Sequence, residues 1–227
     1  MNTLNTFLFG IYPYIALVVF LAGSLIRFDR EQYTWKSDSS QLLRHGQLRL
    51  GSNLFHIGIL GIFFGHFVGL LTPLAIWHAL GVEASAKQML AIIAGGVFGI
   101  IMLIGIIVLI HRRLTEPRIR ANTRTADWLV LWLLLAQLAL GLLSLPVSWG
   151  HRDGGEMIKL MMWAQHIVTF RGDASAFVVD VAPVFKLHLL LGMTIFLVFP
   201  FTRLVHVWSG FAAVGYLTRA YQVVRGR

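Results

Sequence analysis

The chain has 227 residues, 57% of them hydrophobic and 13% charged, whereas a soluble globular domain is about half apolar and about a quarter charged; it reads as an integral membrane protein. It contains no cysteine, which excludes covalent C-x-x-C-H haem attachment, iron–sulfur clusters held by this chain, and disulfides. The formal net charge of +9 would suit nucleic acid, but no phosphate-binding glycine loop stands in a strand–helix context. The arginines are instead distributed as membrane topology requires, so no nucleic-acid partner is expected.

Five stretches are long enough to cross a hydrocarbon core, which takes about 20 apolar residues. The first, Thr6–Ile26, lacks a positive N-terminal region and carries its positive flank behind it, so it is expected to remain as a span and not to act as a signal peptide. A basic loop follows, with Arg27, Arg30, Lys36, Arg44 and Arg49. The second span, Leu54–Trp77, leads into a loop whose one basic residue is Lys87. The third, Met89–Ile110, precedes a loop crowded with Arg112, Arg113, Arg118, Arg120 and Arg124. The fourth span is Trp128–Trp149. In the loop after it Arg152, Lys159 and Arg171 are diluted by acidic residues, and MIKLMMWAQHIVTF reads as a covering loop or a segment along the interface. The fifth, Val184–Trp208, ends in a tail with Arg219, Arg225 and Arg227. The positive-inside rule then puts the N-terminus outside and the C-terminus in the cytoplasm. The expectation is an all-α, five-span membrane protein forming a single domain over residues 1–227.

Four histidines lie inside the apolar runs: His56 and His66 in the second span, His188 and His206 in the fifth. Ionisable residues within a span are costly and mark function by default, although a lone intramembrane histidine can be a mere hydrogen-bonding group. His56 and His66 are roughly 15 Å apart along a helix, too far to share one small ion, and His188 and His206 roughly 27 Å if the helix is straight. Partners must come from the other, oppositely directed helix. Topology pairs His56 with His206 in the cytoplasmic half and His66 with His188 in the outer half. Two stacked cross-helix pairs are what two planar haems need. Pro200 between His188 and His206 predicts a bend. Gly192 and Gly210 each follow a histidine by four residues and leave its face clear. Gly58, Gly61, Gly65 and Gly69 flatten the second span, either for a cofactor or for close helix packing. His45, His78, His111, His151 and His166 fall in loops or at helix ends, where a solvated histidine needs no explanation.

The SSQ late in the first loop, SNLFHIGILGIFFGHFVGLLTP, and KLHLLLGMTIFLVFPFTRLVHVWS together resemble the γ subunit of membrane-bound respiratory nitrate reductase, a dihaem cytochrome b. IYPYIALVVFLAGS and YLTRAYQVVRGR are similar to that family as well. The resemblance covers the whole chain and implies two b haems, with His56, His66, His188 and His206 as axial ligands. It also implies a quinol site beside the outer haem, with Lys87 matching the family's lysine in the second loop; Gly65 and Gly69 would let a quinone ring approach. Lys87 read alone is equally an interfacial lysine snorkelling to solvent. An iron–sulfur β subunit and a molybdenum-containing α subunit are the implied partners, docked at the cytoplasmic face of a bacterial inner membrane with the N-terminus periplasmic. Tyr216, Arg219, Tyr221 and Arg225 are candidates for that docking, and Arg112, Arg113 and Arg203 for haem propionates. Two other readings fit the residues: a dihaem cytochrome b of another quinone-linked reductase, and a transporter whose histidines bind metal or protons.

Overall fold

The computed structural model describes residues 3–31, 43–151 and 153–209. Lys36, the SSQ segment, Arg152, Gly210 and the basic tail lie outside the described residues. All regular structure among the described residues is helical. Five helices are long and apolar enough to span: Thr3–Arg30 (α1), His45–Leu71 (α2), Ala84–Thr115 (α4), Thr125–Gly150 (α6), and the segment Pro183–Phe201, which contains α8 (Pro183–Val198). Three shorter helices join them: α3 (Leu74–Ala79), α5 (Pro117–Ala121) and α7 (Gly155–Val168).

Prolines set several boundaries. Pro73 and Pro117 disfavour the helical conformation in the residue before them, and Thr72 and Glu116 are extended (ψ 121° and 106°). The second span therefore stops at Leu71, short of the expected Trp77, and at its other end it starts at His45, nine residues before Leu54. Its first turns, GQLR, are polar, and no hydropathy signal distinguishes a polar helical extension from a loop.

The fifth span also differs from expectation. It does not bend at Pro200 and continue; it breaks. α8 ends at Val198, 3-10 turns follow at Phe199–Phe201 and Arg203–Val205, and Thr202 between them is extended (φ −124°, ψ 178°). Carbonyls released by such a break must find donors within the protein, because hydrocarbon offers none. Arg27 Nη1 of α1 donates to Pro200 O at 2.6 Å and to Thr202 O at 2.9 Å. A new helical turn begins at His206.

The spans form an open series. α2 packs on α4, α4 on α6, α6 on α8 and α8 on α1, while α2 and α8 are not closely packed together. α2 and α4 approach through glycine: a Cβ at Gly58 would lie 2.5 Å from the Met102 main-chain nitrogen, Gly61 is flush with the Phe98 ring, and Gly105 with the backbone of Phe55. One hydrophobic core, with Met102, Ile106, Val130 and Leu134, lies between α4 and α6. Gly58→Leu is expected to destabilise the protein by about 1–3 kcal/mol through overpacking, whereas Gly46→Ala, which opens onto empty space, leaves the melting temperature in detergent unchanged. Equal melting temperatures for the two variants would refute this account of the α2–α4 contact.

MIKLMMWAQHIVTF is helix α7 and not a covering loop. It buries Trp163, Ala164 and Ile167 against Phe9, Val178 and Phe185, and Met161 and His166 are buried as well, the apolar residues recurring at helical spacing within a polar segment. Its N-cap Gly154 has φ 83°, a conformation that favours glycine. Polar groups fasten the helix. Trp163 Nε1 donates to Phe9 O (2.8 Å) in the π-turn of α1, and Gln165 Nε2 to Leu70 O (3.0 Å) at the end of α2. His166, expected to be solvated, is buried with Nδ1 2.6 Å from Asp173 Oδ1. This hydrogen bond holds the Asp173 carboxyl below the usual aspartate range. The folded carboxyl thus has the lower pKa, so its contribution is present above the ordinary value of about 3.9 and is lost as pH falls through the depressed one. Asp173→Asn is expected to flatten the acid limb of the stability profile; an unaltered limb would contradict the pairing.

Candidate functional site

The gap between α2 and α8 holds the four intramembrane histidines. His56 and His66 are carried by the uninterrupted α2, ten residues or roughly 15 Å apart. His188 is in α8 and His206 follows the break at Thr202, so their separation is not that of one straight rod. The structure brings His56 beside His206, with ring centroids 6.3 Å apart, and His66 beside His188 at 6.0 Å.

These spacings can be compared with a haem iron between each pair. A metal–imidazole bond of about 2 Å, with the ring centre about one ångström further out, puts two trans imidazole centroids about 6 Å apart. The paired rings are inclined to one another at 77° and 38°. The donor chemistry fits as well. Nδ1 lies 2.7 Å from Ser52 O in His56, 2.8 Å from Ile62 O in His66 and 2.7 Å from Arg203 O in His206. A main-chain carbonyl can only accept, so each Nδ1 carries the proton and each Nε2 keeps its lone pair for a metal. His188 differs: its Nδ1 is buried without a partner, and Gln137 Nε2 lies 3.4 Å from its Nε2. Among the described residues no three His, Asp or Glu converge on one point. Imidazoles in twos suit axial ligation of haem and fall short of the four ligands of a structural zinc site.

Glycines divide by function along α2. Gly58 and Gly61 serve helix packing, as above, whereas a Cβ at Gly65 or Gly69 would meet nothing within 4 Å. Gly192, in contrast, does not simply clear the face of His188, because a Cβ there would lie 3.2 Å from Gln137 Nε2.

Lys87 does not snorkel. It is in the first turn of α4, 3% exposed, with Nζ donating to Gly69 O at 2.6 Å and lying 2.7 Å from Met161 Sδ. The ammonium also stands 5.2 Å from the centre of the Trp77 ring. Gly69 is three residues beyond His66, roughly 4.5 Å of helix rise, so the lysine head reaches the stretch of α2 that carries His66 and Gly65. The residue beside it secures this end of α4: Gln88 Nε2 donates to Ser148 O (2.7 Å) and His151 O (2.6 Å). Sequence alone gave no signal that the fourth loop would supply Met161 and turn Lys87 inward.

At the opposite, arginine-rich end, Asp127 lies between Arg203 (3.4 Å) and Arg113 (3.8 Å), and Arg112 Nη2 donates to Leu43 O at 2.5 Å. Arg203 also supplies the carbonyl that orients His206, so the Asp127 contact steadies that ring through the main chain.

Residues 5–227 match the family described as nitrate reductase gamma subunit. The chain belongs to this family. It is similar over the whole of both chains to the respiratory nitrate reductase 1 gamma chain of Escherichia coli (strain K12), with 56% identity over 228 residues. The respiratory nitrate reductase 2 gamma chain of the same organism is 54% identical over 225 residues, 99% of this chain and 98% of that one. The nitrate reductase gamma chain of Bacillus subtilis (strain 168) is 38% identical over 221 residues, 97% of each. As a gamma-subunit family member, the chain is a membrane subunit of an oxidoreductase complex, which accords with its five apolar helices.

Proposed function

We propose that this chain is the quinol-oxidising, dihaem cytochrome b subunit that anchors a respiratory nitrate reductase in the bacterial cytoplasmic membrane. The observation that carries the reading is the two imidazole pairs, each about 6 Å between ring centres, facing one another across the gap between α2 and α8. His56 and His206 would hold the haem on the cytoplasmic side, and His66 and His188 the outer one. Haem held by two imidazoles would supply a one-electron carrier and not a site for oxygen or substrate.

The chain's own groups would handle the quinol. Lys87 presents a cation with three N–H donors; one is given to Gly69 O and the others face the thioethers of Met161 and Met157, weak acceptors that a quinone oxygen would displace as negative charge develops there. Gly65 and Gly69 leave the flat approach that a quinone ring needs. The two acidic residues within the described spans, Asp29 and Asp127, lie near helix ends, and Glu83 and Glu116 only flank α4, so no carboxylate relay crosses the membrane among the described residues. Quinol protons would then be released on the outer side while electrons alone cross. Since no cysteine is present, this chain holds no iron–sulfur cluster of its own; its family membership supports an iron–sulfur β subunit as the cytoplasmic acceptor, leading to a molybdenum-containing α subunit where nitrate is reduced.

The test is to delete this chain from the complex. Nitrate reduction driven by a reduced quinol analogue is expected to disappear, while reduction driven by a soluble dye that donates directly to the cytoplasmic subunits persists. Quinol-driven activity that survives the deletion would refute the proposal.

A further inference from the structure

His188 is the exception among the four histidines. Nothing from its own main chain meets its Nδ1, which is buried without a hydrogen-bond partner. An imidazole that gives its Nε2 lone pair to a metal carries its proton on Nδ1 and needs an acceptor there. A second buried atom nearby has the complementary deficit: Gln137 Oε1 also lacks a partner. Gln137 is in mid-α6, in the run LWLLLAQLALGLL, where an amide is costly unless both ends are bonded. Its other end is already committed, since Nε2 donates to His188 O at 3.1 Å. Two glycines admit the arrangement. Gly192 leaves space for the carboxamide, and a Cβ at Gly141 would lie 3.1 Å from the His188 ring.

We propose that Gln137 is a positioning residue for His188, its carboxamide holding the His188 main chain through Nε2 and accepting the ring Nδ1–H through Oε1 when the ring binds iron. The ring edge now nearest the amide is the one bearing Nε2, at 3.4 Å. A half-turn about Cβ–Cγ exchanges Nδ1 with Cδ2 and Nε2 with Cε1. The Nδ1 edge then faces Gln137. The inference rests on the haem-ligand reading above and goes beyond it, giving one of the two haems an acceptor from a third helix in place of a local carbonyl. An acceptor on the far nitrogen raises the basicity of the ligating one, and removing such partners typically weakens metal retention by about 10–100-fold.

The experiment is a redox titration of the whole complex, with low-spin EPR spectra, for wild type, Gln137→Leu and Gln137→Glu; the glutamate has an acceptor oxygen in either protonation state. Gln137→Leu is expected to raise the midpoint of the haem that His66 and His188 hold, alter its EPR signal and speed its loss to apomyoglobin, leaving the other haem unmoved. Gln137→Glu is expected to keep that haem without the upward shift. Unchanged midpoints and signals in Gln137→Leu would overturn the proposal, as would a shift of the other haem alone. If the leucine variant loses the haem, its retention by the glutamate variant supports the proposal, and loss from both overturns it. Wild-type protein with fewer than two haems would instead defeat the ligand reading itself.

Discussion

Alanine at His66 or His188 is expected to remove one of two b-type spectral components, and alanine at His56 or His206 the other. The grouping follows from the rings: each histidine has one neighbour across the gap, at 6.0 or 6.3 Å, and its companion on the same helix is too distant to substitute. Losing one imidazole leaves the iron held on a single face. The partner ring, whose Nδ1 is tied to a helix carbonyl in three of the four cases, has no second nitrogen to offer. Each variant should therefore lose close to one haem per chain in place of a graded weakening of both. Quinol-driven nitrate reduction should fall to background in all four, with dye-driven reduction retained. Reduced-minus-oxidised spectra of the four membranes check this. If His66→Ala and His206→Ala abolish the same component and spare the other, the pairing is wrong.

The second large effect is expected at Lys87. A hydrogen bond from a charged donor is worth about 1.5–3 kcal/mol, and each 1.4 kcal/mol is tenfold in rate. Lys87→Ala should thus lower quinol oxidation by about one to two orders of magnitude with both haems in place. The separation is possible because the ammonium touches Gly69 O, Met161 and the Trp77 ring and none of the four imidazoles. Lys87→Arg keeps the charge, but its planar fork does not match the compact seat between Gly69 O and Met161 Sδ, so it should recover activity only in part. Wild-type quinol kinetics in Lys87→Ala, measured at saturating and limiting quinol, would reduce the residue to a packing group.

Much of this architecture was legible because a hydrocarbon solvent leaves few choices. Long apolar runs must be helices, so the five spans could be read from composition. Alternating direction was enough to match His56 with His206 and His66 with His188, and those are the rings the fold brings together. Features that depend on side chains from remote elements were not legible. The helical extension from His45 is polar, and the break after α8 is made tolerable by Arg27, some 175 residues away in sequence from Thr202. The apolar residues of α7 recur at helical spacing, but the surface that buries them comes from remote elements that include Phe9 and Phe185, so the burial of the helix could not be read from the segment itself. Snorkelling stood level with the quinol-site reading for Lys87 because Met161, which turns the side chain inward, comes from that same α7. Gln137 did leave a trace: an amide amid leucines in mid-span is as conspicuous as an intramembrane histidine, but its partner could be known only once α6 and α8 were side by side.

The proposed electron path requires two irons between α2 and α8. Haem quantification by the pyridine haemochrome method, on the purified complex and normalised to this chain, tests it most directly. Two b haems per chain is the expected result; one or none would contradict it.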